Sequence, residues 1–175
     1  MGRHKLISDT AVLNAVLALF GQEGSKGVSF GTVGKLTGLS PATLVQRFVS
    51  RDAMFAMAIA QGWALATEAL ERCEAAMAPN GQNAVAMLKL LGDAMEKLPL
   101  SALLTASQPN PVLRAKASDW RQAVEASLIG RIQKGQGPIE ENAAAVFAAW
   151  QGRMMWLGTE GGDFRLRSIL KKKQA

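Results

Sequence analysis

Apolar residues recur along most of this chain at the spacing of amphipathic helices. Near the start they form one helical face, at Leu13, Val16, Leu17 and Phe20, and Ser8 or Asp9 is the expected cap of this first helix. Similar stripes predict a long helix over residues 50–78, another over 85–95, and two strong helices over 113–132 and 143–157. Breaks rich in proline and glycine separate them, and no alternating β pattern occurs, so we predict an all-α fold.

Between the first helix and the long one, residues 30–48 predict two short helices joined by a tight turn. The first helix of this pair has one apolar face, made by Phe30, Val33 and Leu36. Gly38 most readily adopts positive φ at a helix end, Ser40 can cap the next helix, and Pro41 suits its first position. On that second helix two apolar residues four apart, Leu44 and Phe48, face inward. The outward positions are Ala42, Thr43, Gln46 and Arg47, a small and polar face that fits a major groove.

The residues of this pair of helices and of the segments on either side of it follow one another in a characteristic order. It comprises Leu19-Phe20, a Gly24 turn, Val28-Ser29-Phe30, Val33-Gly34, Gly38-Leu39-Ser40, Thr43-Leu44, Phe48, Ser50-Arg51 and Met54. From about Asp9 to Met57 the chain thereby resembles the amino-terminal domain of the tetracycline-repressor-like (TetR-type) family of transcriptional regulators. It departs from the family at Val45, where a tyrosine is usual, and at Arg47, where a histidine is common. Arg51 stands where the family favours a lysine.

The resemblance implies a helix-turn-helix DNA-binding domain over residues 1–53 and a larger helical domain for effector binding and dimerisation over residues 54–175. Family members are two-fold dimers, so a palindromic operator is expected, with recognition helices about one DNA turn (roughly 34 Å) apart. In the family, a small molecule bound in the larger domain moves the fourth helix and releases the DNA. No cofactor is expected.

Several residues are candidates for contact with DNA. Gln46 can pair with an adenine edge, and Ala42 or Val45 can touch a thymine methyl group. For Arg47 a phosphate contact is favoured over a guanine contact, and Arg51 is expected to bind phosphate. For Thr32 and Lys35 a solvated surface position is an equal alternative to a phosphate contact. The complete predicted set is Thr32, Lys35, Ser40, Pro41, Ala42, Thr43, Val45, Gln46, Arg47 and Arg51.

The last two predicted helices are candidates for the dimer interface, with internal core packing as the open alternative. The predicted interface residues are Val124, Leu128, Val146, Phe147, Trp150, Met154 and Leu157. Large apolar residues that can line an effector pocket are Trp63, Met87, Leu91, Met95, Trp120 and Trp150, although core packing is the more ordinary role for each. An effector held by such residues would be small and apolar.

Composition narrows the class of protein. The chain has 175 residues, 49% of them hydrophobic, which suits a globular protein with a sizeable core. No apolar run reaches the roughly 18 residues of a membrane span, and the polar start lacks the apolar segment of a signal peptide, so a cytoplasmic protein without a membrane partner is expected. Cys73 is the only cysteine and His4 the only histidine, so neither an internal disulfide nor a structural metal site is expected.

The net charge of +6 is concentrated at the two ends of the chain. Residues 1–55 hold six basic and three acidic side chains, and residues 165–175 hold five basic and none acidic. The first excess surrounds the predicted recognition helix, where cations can neutralise phosphates. The second has a simpler interpretation as a solvated basic helix end.

Two other classes of protein were weighed against a DNA-binding regulator. An enzyme is disfavoured because the sequence has no metal-ligand cluster and no glycine-rich phosphate-binding loop. It also has no histidine available as a general base for a serine or for Cys73. A helical interaction protein, or a nonspecific DNA-binding protein without an effector response, remains the alternative because Val45 replaces the family's tyrosine. The sequence therefore predicts an all-α, homodimeric regulator, expected to be a repressor, that binds double-stranded operator DNA.

Overall fold

The computed structural model describes residues 7–98, 100–132 and 138–156. These residues form eight helices and no strand, which confirms the predicted all-α fold. In chain order the helices are α1 (Asp9–Gly27), α2 (Phe30–Thr37), α3 (Pro41–Phe48), α4 (Arg51–Ala76), α5 (Ala84–Ala94), α6 (Leu100–Ser107), α7 (Pro111–Ile129) and α8 (Ile139–Met155).

Local capping determines where the first four helices begin. Ser8 accepts a hydrogen bond from the Ala11 amide at the start of α1, and Ser29 accepts one from Thr32 at the start of α2. Ser50 does the same for α4, with 3.0 Å between its Oγ and the Ala53 nitrogen. Each serine satisfies an amide that the helix itself leaves without a partner. The helix starts predicted at Ser8 and at residue 50 are therefore confirmed, whereas the cap at Ser29 was not predicted.

The described residues divide into two compact units. Unit 1 comprises those up to Ala66 together with Lys97–Ala117, and unit 2 comprises Thr67–Glu96 together with those from Ser118 onward. Helices α4 and α7 each contribute to both units. This division reflects packing and does not test whether DNA binding and effector binding separate at residue 53, so that predicted domain boundary stays a prediction.

Unit 1 is held together by close contacts of α4 with α1 and α6. A Cβ atom placed on Gly62 of α4 would lie 2.7 Å from Cδ2 of Leu103 on α6 and 3.3 Å from Cδ2 of Leu17 on α1. The buried Trp63 donates its indole N–H to the Ser107 hydroxyl at 2.9 Å, and that hydroxyl donates to the Leu103 carbonyl at 2.7 Å. This relay satisfies the polar atoms that the packing buries.

Unit 2 buries an aromatic cluster and one arginine. The ring of Phe147 lies 5.9 Å from that of Trp120 and 5.8 Å from that of Trp150, between centroids. Arg131, only 3% exposed, donates to the Ser127 carbonyl at 2.7 Å and to the Met77 carbonyl at 2.6 Å. These carbonyls lie near the ends of α7 and α4, where helix dipoles place negative partial charge, so the helix ends compensate the buried guanidinium.

The structure differs from the predicted helices in three places. Helix α6 was not predicted, because it has only eight residues and no serine, threonine, aspartate or asparagine stands directly before it as a cap. Helix α1 runs on to Gly27, although Gly24 interrupts it with a positive φ of 70°. Leu36 is 59% exposed and does not share the burial of Val33, because the inward face of α2 is made by Val33, Gly34 and Thr37 instead.

Helix α4 is, within the described ranges, the one helix long and apolar enough to cross a membrane by length and composition alone. A core helix of a soluble protein meets the same criterion. Met54, Ile59 and Trp63 of α4 are buried against the rest of the fold, as such a core helix requires. The part of the chain that the structure covers holds no group of three or more histidine, cysteine, aspartate or glutamate residues able to bind a metal.

Candidate nucleic-acid interface

The turn between α2 and α3 depends on two glycines. Gly38 has a left-handed conformation (φ 72°, ψ 7°), and its N–H donates to the Gly34 carbonyl at 2.8 Å. A Cβ atom on Gly34 would lie 2.7 Å from the carbonyl oxygen of Leu39. Only glycine at position 34 allows this close approach of α2 to the turn. Leu44 and Phe48 then anchor α3 to the core with almost no exposed surface.

Three hydroxyl residues predicted to meet DNA are engaged in local hydrogen bonds. The Ser40 hydroxyl accepts from the Thr43 amide at 3.1 Å and lies 2.9 Å from the Thr43 hydroxyl. The Thr32 hydroxyl donates to the Gly27 carbonyl at 2.7 Å and accepts from the Ser29 amide at 2.9 Å. These side chains therefore define the starts of α2 and α3, whatever else they contact.

Arg47 on α3 holds the beginning of α1. Its Nη1 donates to the Ile7 carbonyl at 2.7 Å and to the Asp9 carboxylate at 3.3 Å. Its side chain is 21% exposed, and that of Asp9 is 60% exposed. The ion pair itself is worth little in such a setting, but the bond to Ile7 links α3 to a segment 40 residues earlier. Arg47 is placed as a brace between the recognition helix and α1.

Arg51 has a similar role at the other end of α1. Its Nε donates to the Val28 carbonyl at 3.1 Å, its Nη2 donates to the Ser25 carbonyl, and its Nη1 donates to Asp52 at 2.9 Å. The guanidinium also lies over the ring of Phe55, 5.4 Å from its centroid. All three nitrogens thus have intramolecular partners, and the cation neutralises the carbonyl end of α1. The sequence offered no signal for these partners.

The remaining predicted DNA residues form the open surface of the helix pair. Pro41, Ala42, Val45 and Gln46 are exposed on α3, and Lys35 is exposed on α2. Val49, which the sequence analysis did not consider, follows α3 and is 80% exposed. The structure therefore brings Ala42, Val45 and Gln46 together on one outward face. Ala42 and Gln46 were predicted to face outward, whereas Val45 was not, and the predicted outward position of Arg47 is wrong because its side chain turns back to the Ile7 carbonyl. The predicted contacts with DNA themselves stay predictions.

Comparison with known proteins identifies the fold. The structure is similar to that of the multidrug-binding protein EbrR, a TetR-family regulator, in complex with proflavin, with a TM-score of 0.60 and 21% sequence identity. The similarity covers 92% of this chain and 96% of that one. The chain has a TetR-like fold. No protein-family model matches its sequence, and neither does any curated protein.

The predicted effector residues of this TetR-like fold are all buried, five of them in unit 2 and one in unit 1. Met87, Leu91, Met95, Trp120 and Trp150 belong to unit 2, whereas Trp63 belongs to unit 1 and is hydrogen-bonded to Ser107. A Cβ atom on Gly92 would lie 3.7 Å from Nε1 of Trp150 and 3.5 Å from the sulfur of Met154. The α5 backbone therefore lies directly against this aromatic cluster.

Most of the predicted dimer residues of the TetR-like fold lie inside the protomer. Five are buried within the chain itself: Val124, Leu128, Val146, Phe147 and Trp150. Met154 is partly buried, and Leu157 lies outside the described residues. On α8 a different stripe faces outward, formed by Ala145, Ala148, Gly152 and Met155, and Met155 is 64% exposed.

Proposed function

We propose that this protein is a cytoplasmic, dimeric TetR-type regulator, acting as a repressor, that binds a palindromic DNA operator through α2 and α3. The observation that carries this proposal is the close glycine-mediated crossing of α2 and α3, which presents the face of α3 to solvent within a TetR-like fold. A helix held in this way can enter the major groove, and a two-fold dimer would place two such helices on successive turns of DNA.

Selection of bound fragments from random duplex DNA at near-physiological salt tests this function. A specific dimeric regulator recovers a palindrome and prefers it over random DNA by a thousandfold or more. Binding without a recovered motif, lost as salt rises, would instead indicate the nonspecific DNA-binding alternative. The Gln46→Ala variant of this exposed residue should change the recovered motif, whereas Lys35→Ala should weaken binding to all sequences and lower its salt dependence.

We place the dimer contact on the outward stripe of α8, because its small side chains allow two helices to approach closely and Met155 supplies exposed apolar surface. The Met155→Glu change should shift the protein from dimer to monomer in analytical ultracentrifugation. A matched control is Val112→Glu, because Val112 on α7 is equally exposed at 64%. A dimer unaffected by Met155→Glu would move the interface elsewhere.

The aromatic cluster of unit 2 supports an effector site for a flat, apolar aromatic compound, because offset and edge-to-face ring contacts suit such a ligand. EbrR was solved in complex with proflavin. Proflavin is flat and aromatic but cationic at neutral pH, so it is a first probe of the ring contacts and not of the apolar character of the site. Proflavin should quench the tryptophan fluorescence and lower the affinity for the recovered operator. Trp150→Phe keeps the core filled and should weaken both effects. Quenching without loss of operator affinity would identify a ligand that does not regulate.

A further inference from the structure

The exposed face of α3 is neutral and mostly apolar. Ala42, Val45 and Gln46 follow the i, i+3, i+4 spacing of one helical face and are exposed, and Val49, directly after the end of α3, is exposed as well. Val45 is 45% exposed and Val49 is 80% exposed. Gln46 is the only member of this group with hydrogen-bonding atoms on its side chain. The face therefore offers methyl groups and one amide to whatever it meets.

Guanine recognition from this face is disfavoured by the positions of the arginines. The commonest specific contact to guanine is a bidentate arginine or lysine in the major groove. Arg47 and Arg51 have guanidinium groups bonded to carbonyls at the two ends of α1. Neither arginine belongs to the outward group of α3. On the outward face of α3 itself, the side chains that remain to distinguish bases are the apolar ones and Gln46.

The charge around the face suits nucleic acid as its partner. From residue 24 to residue 51 the chain contains no aspartate or glutamate, and it contains four basic residues, at Lys26, Lys35, Arg47 and Arg51. An apolar face in so basic a segment is complementary to a polyanion that carries apolar groups. Thymine supplies such a group, because its 5-methyl is the only methyl that an unmodified base presents in the major groove.

Val49 adds a second, independent feature to the face. Its φ is 65° and its ψ is −54°, and the Ser50 amide donates to the Phe48 carbonyl at 2.6 Å, which is a tight three-residue turn. Among the described residues Val49 is the only one besides glycine with positive φ. A β-branched residue is strained there, and strain of this kind concentrates at functional sites. The turn directs an exposed valine beyond the end of α3.

We propose that Val45 and Val49, with Ala42, recognise thymine 5-methyl groups, so that A·T pairs dominate each half-site of the operator. This inference rests on the proposed function. It adds the chemistry by which the face distinguishes bases, with Gln46 as the partner of an adenine. Removal of the methyl groups from the operator should therefore reduce affinity although every hydrogen-bonding atom of the bases is retained.

The direct test replaces thymine by deoxyuridine in the half-sites of the selected operator. Each methyl group that loses an apolar contact should reduce affinity about fourfold. With about two such methyl groups in each half-site, the full replacement should reduce affinity on the order of a hundredfold. The same replacement in the flanking DNA is the control and should have no effect.

Protein variants identify which side chain meets the methyl groups. In the Val45→Ala protein the thymine-to-uracil replacement should reduce affinity less than in the unchanged protein, because the valine contact is already lost. The protein change and the DNA change, made singly and together, form a double-mutant cycle across the interface. Val112→Ala is the matched control, since it truncates an exposed valine on α7. Val49→Gly should leave the protein folded, because glycine accepts the positive φ, and yet should lower operator affinity severalfold.

The outcomes separate this inference from the proposed function. If no palindrome is recovered at all, the proposed function fails and the inference fails with it. A palindrome with G·C-rich half-sites, or one whose affinity is unchanged by uracil, leaves the regulator intact and overturns methyl recognition. The same holds if Val45→Ala and Val49→Gly leave operator affinity unchanged, and the apolar face would then be assigned to a protein partner.

Discussion

Two glycines on the same short helix allow a sharp test of the α2–α3 crossing. In the Gly34→Ala variant the new Cβ atom meets the Leu39 carbonyl oxygen at 2.7 Å. In the Gly31→Ala variant the nearest atom is the Ser29 Oγ at 3.7 Å, an ordinary contact distance. Both substitutions raise helix propensity, but only the first forces backbone atoms apart. The pair thus separates propensity from packing.

The magnitudes follow from these distances. Replacing glycine by alanine within a helix stabilises by up to about 1 kcal/mol. Overpacking of a tight contact costs about 1–3 kcal/mol, and here the opposing atom is backbone and cannot turn away as a side chain can. We therefore expect Gly31→Ala to raise the free energy of unfolding by up to about 1 kcal/mol. Gly34→Ala should lower it by about 1–2 kcal/mol.

Chemical denaturation at one fixed protein concentration measures both variants, since dimerisation makes apparent stability depend on concentration. Native-state hydrogen exchange at the Gly38 amide adds a local readout, because this amide donates to the Gly34 carbonyl. Faster exchange there is expected for Gly34→Ala only. If Gly34→Ala proved as stable as Gly31→Ala, the close approach of α2 to Leu39 would be refuted.

Three further predictions concern other parts of the fold. Arg131→Met should lower the free energy of unfolding by about 2–4 kcal/mol, because it leaves two buried carbonyls without donors. Arg131→Lys should lower it less, because lysine keeps a donor, and the denaturation midpoints of the two variants test this order. Arg47→Met should cost about 1 kcal/mol in stability and weaken binding to all DNA sequences, seen in titrations of operator and random duplexes. Burial raises the pKa of the Cys73 thiol above its usual 9.0. As pH rises past 9 the unfolded thiol therefore ionises before the folded one, and stability falls until the folded thiol ionises as well. Denaturation midpoints at pH 8 and pH 10 should therefore differ less in Cys73→Ala than in the unchanged protein.

The helix-turn-helix was predictable because its signals are local. Ser40 caps a helix start by a bond to an amide three residues later, Pro41 suits the first helical position, and Gly38 marks a helix end. No capping side chain directly precedes helix α6, and its burial against α1 and α4 depends on residues far away in the chain. Leu36 shows the same limit, because three apolar residues in one helix do not specify which of them the neighbouring helix covers.

The roles of the basic residues were less predictable than their positions. The sequence predicted that Arg47 lies on α3 and that Arg51 begins the next helix, but their partners Ile7 and Val28 lie 40 and 23 residues earlier in the chain. A stripe of apolar residues on α7 and α8 likewise does not reveal whether the protomer or a second copy buries it. Phe147 and its neighbours on this apolar face are buried within a single chain, so the protomer itself covers the face that periodicity selects.

The two arginines connect the fold to the proposed chemistry. They fasten α3 and the start of α4 to both ends of α1. Under the proposed function α3 is then held in place before it meets DNA, and an ordered surface loses less entropy on binding. Their guanidinium groups are then occupied, so phosphate attraction depends more on residues such as Lys35. A recognition surface with fewer mobile cations gains less from nonspecific attraction and relies more on shape and methyl contacts at the base edges. The neutral face of α3 and the braced arginines are, in this view, two consequences of one arrangement: charge holds the helix in place, and apolar groups distinguish the bases.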